Sequence, residues 1–219
     1  MQRRVLLPFF LVLTLPVFGQ LNLKAGFALS KFDAPEFNNV LQVHNTQEGA
    51  LYLEPFKDLK LLYGIDLGLE YHWDAFGIEF GWRTKRNRER AAGSENQRAF
   101  NNDLTLSISS FYAGLVQYVG PIRLSGSIDY SYVRTKLDFE NPSLLTTLSN
   151  DGWGSTFSLG YVLKGTGSIS LILAPYAQFN WKDYSLVPMQ SVLAETMQPL
   201  TSTDYFNFGI GLYFLNGPR

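Results

Sequence analysis

Eight stretches of this chain alternate apolar and polar residues with a period of two, and the connections between them are alternately short and long. Period-two alternation marks strands with two different faces. The first stretch, Leu21 to Phe32, sets Leu21, Leu23, Ala25, Phe27 and Leu29 against Asn22, Lys24, Gly26, Ala28 and Ser30. The second, Leu61 to Trp73, is the cleanest, with Asp66, Glu70 and His72 on its polar phase. The others are Gly77 to Lys85, Leu104 to Val119, Ile122 to Lys136, Trp153 to Lys164, Ser168 to Lys182 and Tyr205 to Phe214. In the fourth, Leu104, Leu106, Ile108, Tyr112, Val116 and Tyr118 form the apolar phase. In the seventh, Pro175 suggests a bulge.

The tight connections are Asp74-Ala75-Phe76, Gly120-Pro121 and Gly165-Thr166-Gly167. The long ones run from Asp33 to Lys60, Arg86 to Asp103, Leu137 to Gly152 and Asp183 to Asp204. Strict alternation puts every long loop at one end of an antiparallel meander and every tight turn at the other. Outer-membrane barrels have this asymmetry. The expected fold is all-β: an eight-stranded antiparallel up-and-down transmembrane β-barrel. Closed barrels and helices are the two ways to satisfy backbone hydrogen bonds in lipid.

A soluble barrel also alternates, with its apolar face inward, so the polar phase must decide. A water-facing phase would be dense in charge. Here it is rich in Gly and Ser with isolated charges, and only 17% of the chain is charged, against about 25% in soluble domains. Small residues suit the crowded lumen of eight strands. Trp73, Trp82, Trp153 and Trp181 all fall on the apolar phase, Trp73 at the turn end and the other three at the loop end. Rings at both ends of an apolar band make an aromatic girdle. Tyr71, Tyr118 and Tyr161 join the turn side.

Export is expected from the first residues. Arg3 and Arg4 precede an apolar run from Val5 to Phe18, with small residues Val17 and Gly19 at a cleavage site. The run is short of the ~20 residues of a spanning helix. Residues 1–19 therefore read as a cleaved secretory signal peptide and 20–219 as the barrel domain. The chain has no cysteine and a net charge of −1, which argues against disulfides, thiol catalysis and nucleic-acid binding.

Lumen-phase charges are Lys24, Arg83, Lys85 and Arg123 against Asp66, Glu70, Glu79 and Asp129. They read as a paired network filling the barrel, with a selective pore as the alternative. No catalytic residue, metal site or cofactor is assigned. His44 lies in the first long loop and His72 near a turn, without a nucleophile motif. In that loop, Phe37 to Val43 and Ala50 to Leu53 are candidates to extend strands above the membrane, and Val187 to Met197 reads as a short helix. The loops are candidate protein-partner surfaces, or simply caps over the mouth. The Lys85 to Arg90 cluster lies just above Trp82, at the level of lipopolysaccharide phosphates, where either phosphate contact or solvation explains it.

Three segments carry a resemblance: Leu21-Asn22-Leu23-Lys24-Ala25-Gly26, Tyr63-Gly64-Ile65-Asp66-Leu67-Gly68-Leu69-Glu70-Tyr71, and Phe206-Asn207-Phe208-Gly209-Ile210-Gly211-Leu212-Tyr213-Phe214. With the signal segment, they resemble the small outer-membrane barrels of the OmpA-transmembrane, OmpX and especially PorT-like families. The resemblance implies residence in a Gram-negative outer membrane, contact with its lipid and lipopolysaccharide, and insertion by the barrel-assembly machinery. Such chains usually end on an aromatic residue, whereas here Leu215-Asn216-Gly217-Pro218-Arg219 follows Phe214. The expected function is a non-enzymatic structural or interaction barrel. A PorT-like accessory role in secretion or assembly and a lipid-modifying enzyme are the alternatives.

Overall fold

The computed structural model describes residues 20–141, 143–164, 169–193, 202–203 and 205–216. The signal-peptide segment, the Gly165-Thr166-Gly167 turn, residues 194–197 of the helix expected to reach Met197, and the last three residues lie outside that set. The elements in chain order are β1 (Gln20–Asp33), α1 (Pro35–Gln47), β2 (Tyr52–Glu54), β3 (Leu61–Trp73), β4 (Phe76–Glu95), β5 (Arg98–Val119), β6 (Ile122–Glu140), β7 (Ser143–Lys164), β8 (Ile169–Asn180), β9 (Tyr184–Ser185), α2 (Val187–Leu193), β10 (Ser202–Thr203) and β11 (Phe206–Asn216).

Eight strands close into a ring in the order β1-β3-β4-β5-β6-β7-β8-β11, each antiparallel to both neighbours. The seam pairs β1 with β11 from Leu23↔Asn216 to Asp33↔Phe206. Closure leaves none of the eight ring strands with an open edge to template aggregation. At one end the turns are tight, with Asp74 (φ 50°) and Gly120 (φ 59°) in the left-handed region. Leu21, Phe27, Phe80, Phe157, Leu173 and Phe208 are among the large apolar side chains exposed on the outside. Pro175 makes no bulge. It pairs with Ile210 in an unbroken register, and the same β7–β8 register holds on both sides of it, at Ser158↔Tyr176 and Tyr161↔Leu173.

Two of the expected long loops are strand instead. The β4–β5 ladder runs on to Glu95↔Arg98, and β6–β7 to Glu140↔Ser143. The reason is visible in β6. Ile128 and Tyr132 face outward, but from Val133 onward the apolar residues Val133, Leu137 and Phe139 are buried inside, while Arg134, Lys136 and Asp138 are exposed. The apolar face changes sides between Tyr132 and Val133, so a reading that follows one apolar phase has its last outward residue at Tyr132 and ends the strand at Lys136, four residues short of Glu140. In β5 the expected phase is wrong throughout. Leu104, Leu106, Ile108, Tyr112 and Val116 are buried inside, while Phe111, Leu115 and Val119 face out.

The first long connection also departs from expectation, because Phe37 to Val43 lies in helix α1 rather than a strand. Pro35 sits in its first turn, where its missing N–H costs nothing. Its buried residues Phe37, Val40, Leu41 and His44 fall at helical spacing. Two asparagines on α1 hold the following segment as a strand would. Asn38 donates to Leu59 O and accepts from Leu59 N (3.2 and 2.9 Å), and Asn45 does the same with Phe56 (2.8 and 3.1 Å). Ala50 to Leu53 fares better, since β2 pairs with the extension of β4. The apolar side of α1 packs on Leu104, Leu106, Val133, Leu137 and Phe139, and with Leu186, Met189 and Leu193 from the β8–β11 connection. The mouth is therefore closed by a hydrophobic core.

Candidate functional site

Inside the barrel lie three storeys. A small apolar cluster of Val162, Ile172, Ala174, Tyr213 and Leu215 fills the turn end, the cap core fills the mouth, and charges fill the middle. The four cations Lys24, Arg83, Lys85 and Arg123 and the four carboxylates Asp66, Glu70, Glu79 and Asp129 are all buried. Lys24 Nζ lies 2.9 Å from Glu79 and 3.6 Å from Asp66. Arg123 Nη2 reaches Glu70 at 2.9 Å and Glu79 at 2.7 Å. Arg83 lies between Asp66 (3.9 Å) and Asp129 (3.7 Å). Lys85 stands apart, donating to Gln178 Oε1 at 3.0 Å with its ammonium 4.4 Å from the Tyr176 ring centroid. For the seven charges other than Lys85, pairing with an opposite charge offsets the cost of burial.

Tyrosines stitch these charges together, and sequence reasoning missed them. The Tyr112 hydroxyl donates to Asp66 at 2.7 Å and accepts from Lys24 at 3.1 Å, while the Arg83 guanidinium stacks 4.1 Å from its ring centroid. Room for this ring comes from Gly68 and Gly81, paired across β3 and β4. A Cβ on Gly81 would meet the Tyr112 hydroxyl at 2.4 Å, and one on Gly68 would meet it at 2.7 Å. Two glycines at facing positions were the available signal. Tyr118 points inward to Glu70 rather than joining a girdle. Thr156 and Ser127 donate to Asp129.

On the outer wall, Trp82, Phe111, Tyr130 and Trp153 form one continuous row across β4 to β7. Trp181 extends the row by donating its backbone N–H to Trp153 O at 2.9 Å. Trp73 is exposed at the opposite end beside Tyr71, ring centroids 6.0 Å apart. Beyond the long row, the Lys85 to Arg90 cluster divides between the faces. Arg86, Arg88 and Arg90 are exposed, whereas Lys85 is buried in the lumen. Arg88 and Arg90 both bind Asp103. Partial burial pushes the Asp103 carboxyl up, but the two guanidiniums outweigh that and hold it below its ordinary range.

The histidines are both packed. His72 lies on the lumen side against Tyr118, with Asn22 at 3.1 Å. His44 joins three cap pieces: Nδ1 lies 3.0 Å from Leu193 O and Nε2 3.0 Å from the Tyr52 hydroxyl. Donation to the carbonyl makes Nδ1 the protonated nitrogen and Nε2 the acceptor from Tyr52. Burial pushes His44 below its ordinary value, against the raising effect of the Leu193 carbonyl.

A closed eight-stranded antiparallel ring, apolar outside and filled with paired charges within, defines the class of small outer-membrane β-barrels. No family model matches the chain, and no curated protein sequence matches it. Among solved structures it is similar to Ail, the attachment invasion locus protein of Yersinia pestis, in complex with the heparin analogue sucrose octasulfate, at 12% identity over 89% of this chain and 98% of that one, TM-score 0.45. It is also similar to Neisserial surface protein A, at 10% identity over 89% and 97%, TM-score 0.41. A third is the outer membrane protease OmpT from Escherichia coli, at 10% identity over 90% and 96%, TM-score 0.42.

Proposed function

We propose that this chain is a non-enzymatic barrel of a Gram-negative outer membrane, exported by a signal peptide at residues 1–19 and inserted by the barrel-assembly machinery. Its lumen is filled, and its working surface is the extracellular cap. The observation that carries this reading is the change of apolar face in β6, with Tyr132 outside and Val133 inside. A soluble barrel keeps its apolar residues inward along the whole strand. A strand leaving lipid must turn them from the wall to the core at the membrane surface.

The lipid-facing band is flanked by the row Trp82-Phe111-Tyr130-Trp153 on the cap side and Trp73 on the turn side, which serve as the girdles. Three storeys of side chains, among the described residues, support a lumen that is filled rather than conducting. The cap displays Leu53 and Leu145, at 79% and 71% exposure, as apolar points for a protein partner.

The test is fractionation with a heat-dependent gel shift, followed by conductance in a planar bilayer. Outer-membrane recovery, a shift and no conductance are expected. Recovery in the soluble periplasm would overturn the membrane reading, and steady conductance would overturn the filled lumen. Comparing surface and secreted proteins after deletion separates a surface interaction role from an accessory role in secretion.

A further inference from the structure

We propose that the outer wall of β4 to β7, just beyond the Trp82–Trp153 row, binds the phosphates of an outer-leaflet phosphoglycolipid. The proposal rests on the membrane placement above and names a partner for that surface. Strand register builds the site. One row across the four strands reads Arg86↔Ser107↔Arg134↔Ser149, and the next reads Arg88↔Thr105↔Lys136↔Thr147. Cation and hydroxyl alternate twice in each. With strands about 4.8 Å apart, the two cation columns stand roughly 10 Å apart, with a hydroxyl column between them. That gap admits a phosphate held from both sides by charge-assisted bonds and from beneath by a hydroxyl donor.

Charge compensation is uneven. The third row, Arg90↔Asp103↔Asp138↔Leu145, supplies the two carboxylates that form ion pairs with these cations. Asp103 binds Arg88 and Arg90, and Asp138 binds Lys136 at 2.8 Å. Arg86 and Arg134, in the row nearest the apolar band, form no ion pair among the described residues. Two uncompensated guanidiniums thus flank Ser107 at one level, and the group that completes this arrangement is an anion. A cleft of about 580 Å³ lies over these rows.

Position selects the source of the anion. Arg86 is four residues past Trp82 on the same strand, roughly 13 Å along it. The wall between them carries Thr84, Ser109, Tyr132 and Asp151, a polar row directly above the girdle row in which the Asp151 carboxylate accepts from the Tyr130 hydroxyl at 2.6 Å. A lipid seated against Phe111 therefore presents its head at the level of the arginines. Arginine's planar fork suits phosphate.

The test uses the full mature barrel in nanodiscs holding either bisphosphorylated lipid A or the same lipid enzymatically stripped of phosphate. Native mass spectrometry reads the lipid retained per barrel. Wild type should retain the phosphorylated lipid of the order of tenfold better, and the Arg86→Ser/Arg134→Ser double variant should lose that preference. Arg98→Ser, exposed at the hairpin tip, should keep it. Equal retention of the two lipids by an inserted wild type, or a preference unchanged in the double variant, would overturn the site alone. Capture of soluble polyphosphate without any lipid preference would also overturn it. Failure to insert, read by loss of the heat-dependent gel shift, would overturn the membrane reading and the site together.

Discussion

Glu70 and Glu79 stand directly opposite each other across the β3–β4 ladder, and a single Arg123 nitrogen contacts both. Like charges facing across strands repel, so this pair persists only because Arg123 lies between them, with Lys24 beside Glu79. Arg123→Met should lower the unfolding free energy of the inserted barrel by about 3–5 kcal/mol, the usual cost of leaving a buried charge without its partner. Adding Glu79→Gln should restore much of it. Denaturant unfolding in lipid bilayers measures both, and an Arg123→Met barrel as stable as wild type would show that the lumen tolerates the repulsion.

Packing around Tyr112 makes a second prediction. Gly81→Ala places a methyl group 2.4 Å from the Tyr112 hydroxyl and 2.5 Å from Leu67 O. The ring must move, loosening its bonds to Asp66 and Lys24. The expected loss is about 1–3 kcal/mol, read in the same unfolding assay. Ala75→Gly, in the short turn outside the network, should change stability by less than that.

Gly68 and Gly81, facing each other across β3 and β4, mark what the sequence made legible and what it hid. Strand β3 is readable residue by residue because a single alternation runs from Leu61 to Trp73. The loop-side halves of β4 and β7 are lost, because β4 carries polar residues on both faces from Arg86 to Arg90, and in β7 the apolar residues Leu144 and Leu148 turn from the wall to the cap core, so a one-phase reading takes both for loop. Helix α1 is missed for a related reason. Its buried residues repeat at helical spacing, yet a chain full of period-two strands invites a period-two reading there too. The charged lumen residues are visible as polar interruptions of strands. The tyrosines that join them are not, because Tyr112 and Tyr118 read as apolar until a three-dimensional partner shows where each hydroxyl goes.

The boundary itself can be mapped with thiols, because the chain has no cysteine of its own. Single variants Lys136→Cys and Thr147→Cys should react with a membrane-impermeant maleimide on intact cells. Leu124→Cys, on the outward apolar band, should not. Equal labelling of Leu124→Cys would place the band in water and contradict the membrane depth inferred from Tyr132 and Val133.

His44 makes the cap sensitive to acid. Its folded-state value lies below the ordinary 6.5, so the undocked cap binds the proton more readily than the docked one. Cap stability is therefore full above about pH 6.5 and falls as pH drops below it. Protonation also turns Nε2 into a donor toward Tyr52, whose hydroxyl already accepts from Asn102 at 2.9 Å. Amide exchange in α1, corrected for the intrinsic rate at each pH, should lose protection between pH 7 and pH 5. His44→Gln should flatten that dependence.

The switch of faces in β6 also fixes where the molecule floats. Sinking by two residues would draw Arg134 into hydrocarbon, and rising by two would lift Ile128 toward water. Penalties on both sides give the barrel a single waterline, so the height at which its cap stands above the cell surface is written into one strand.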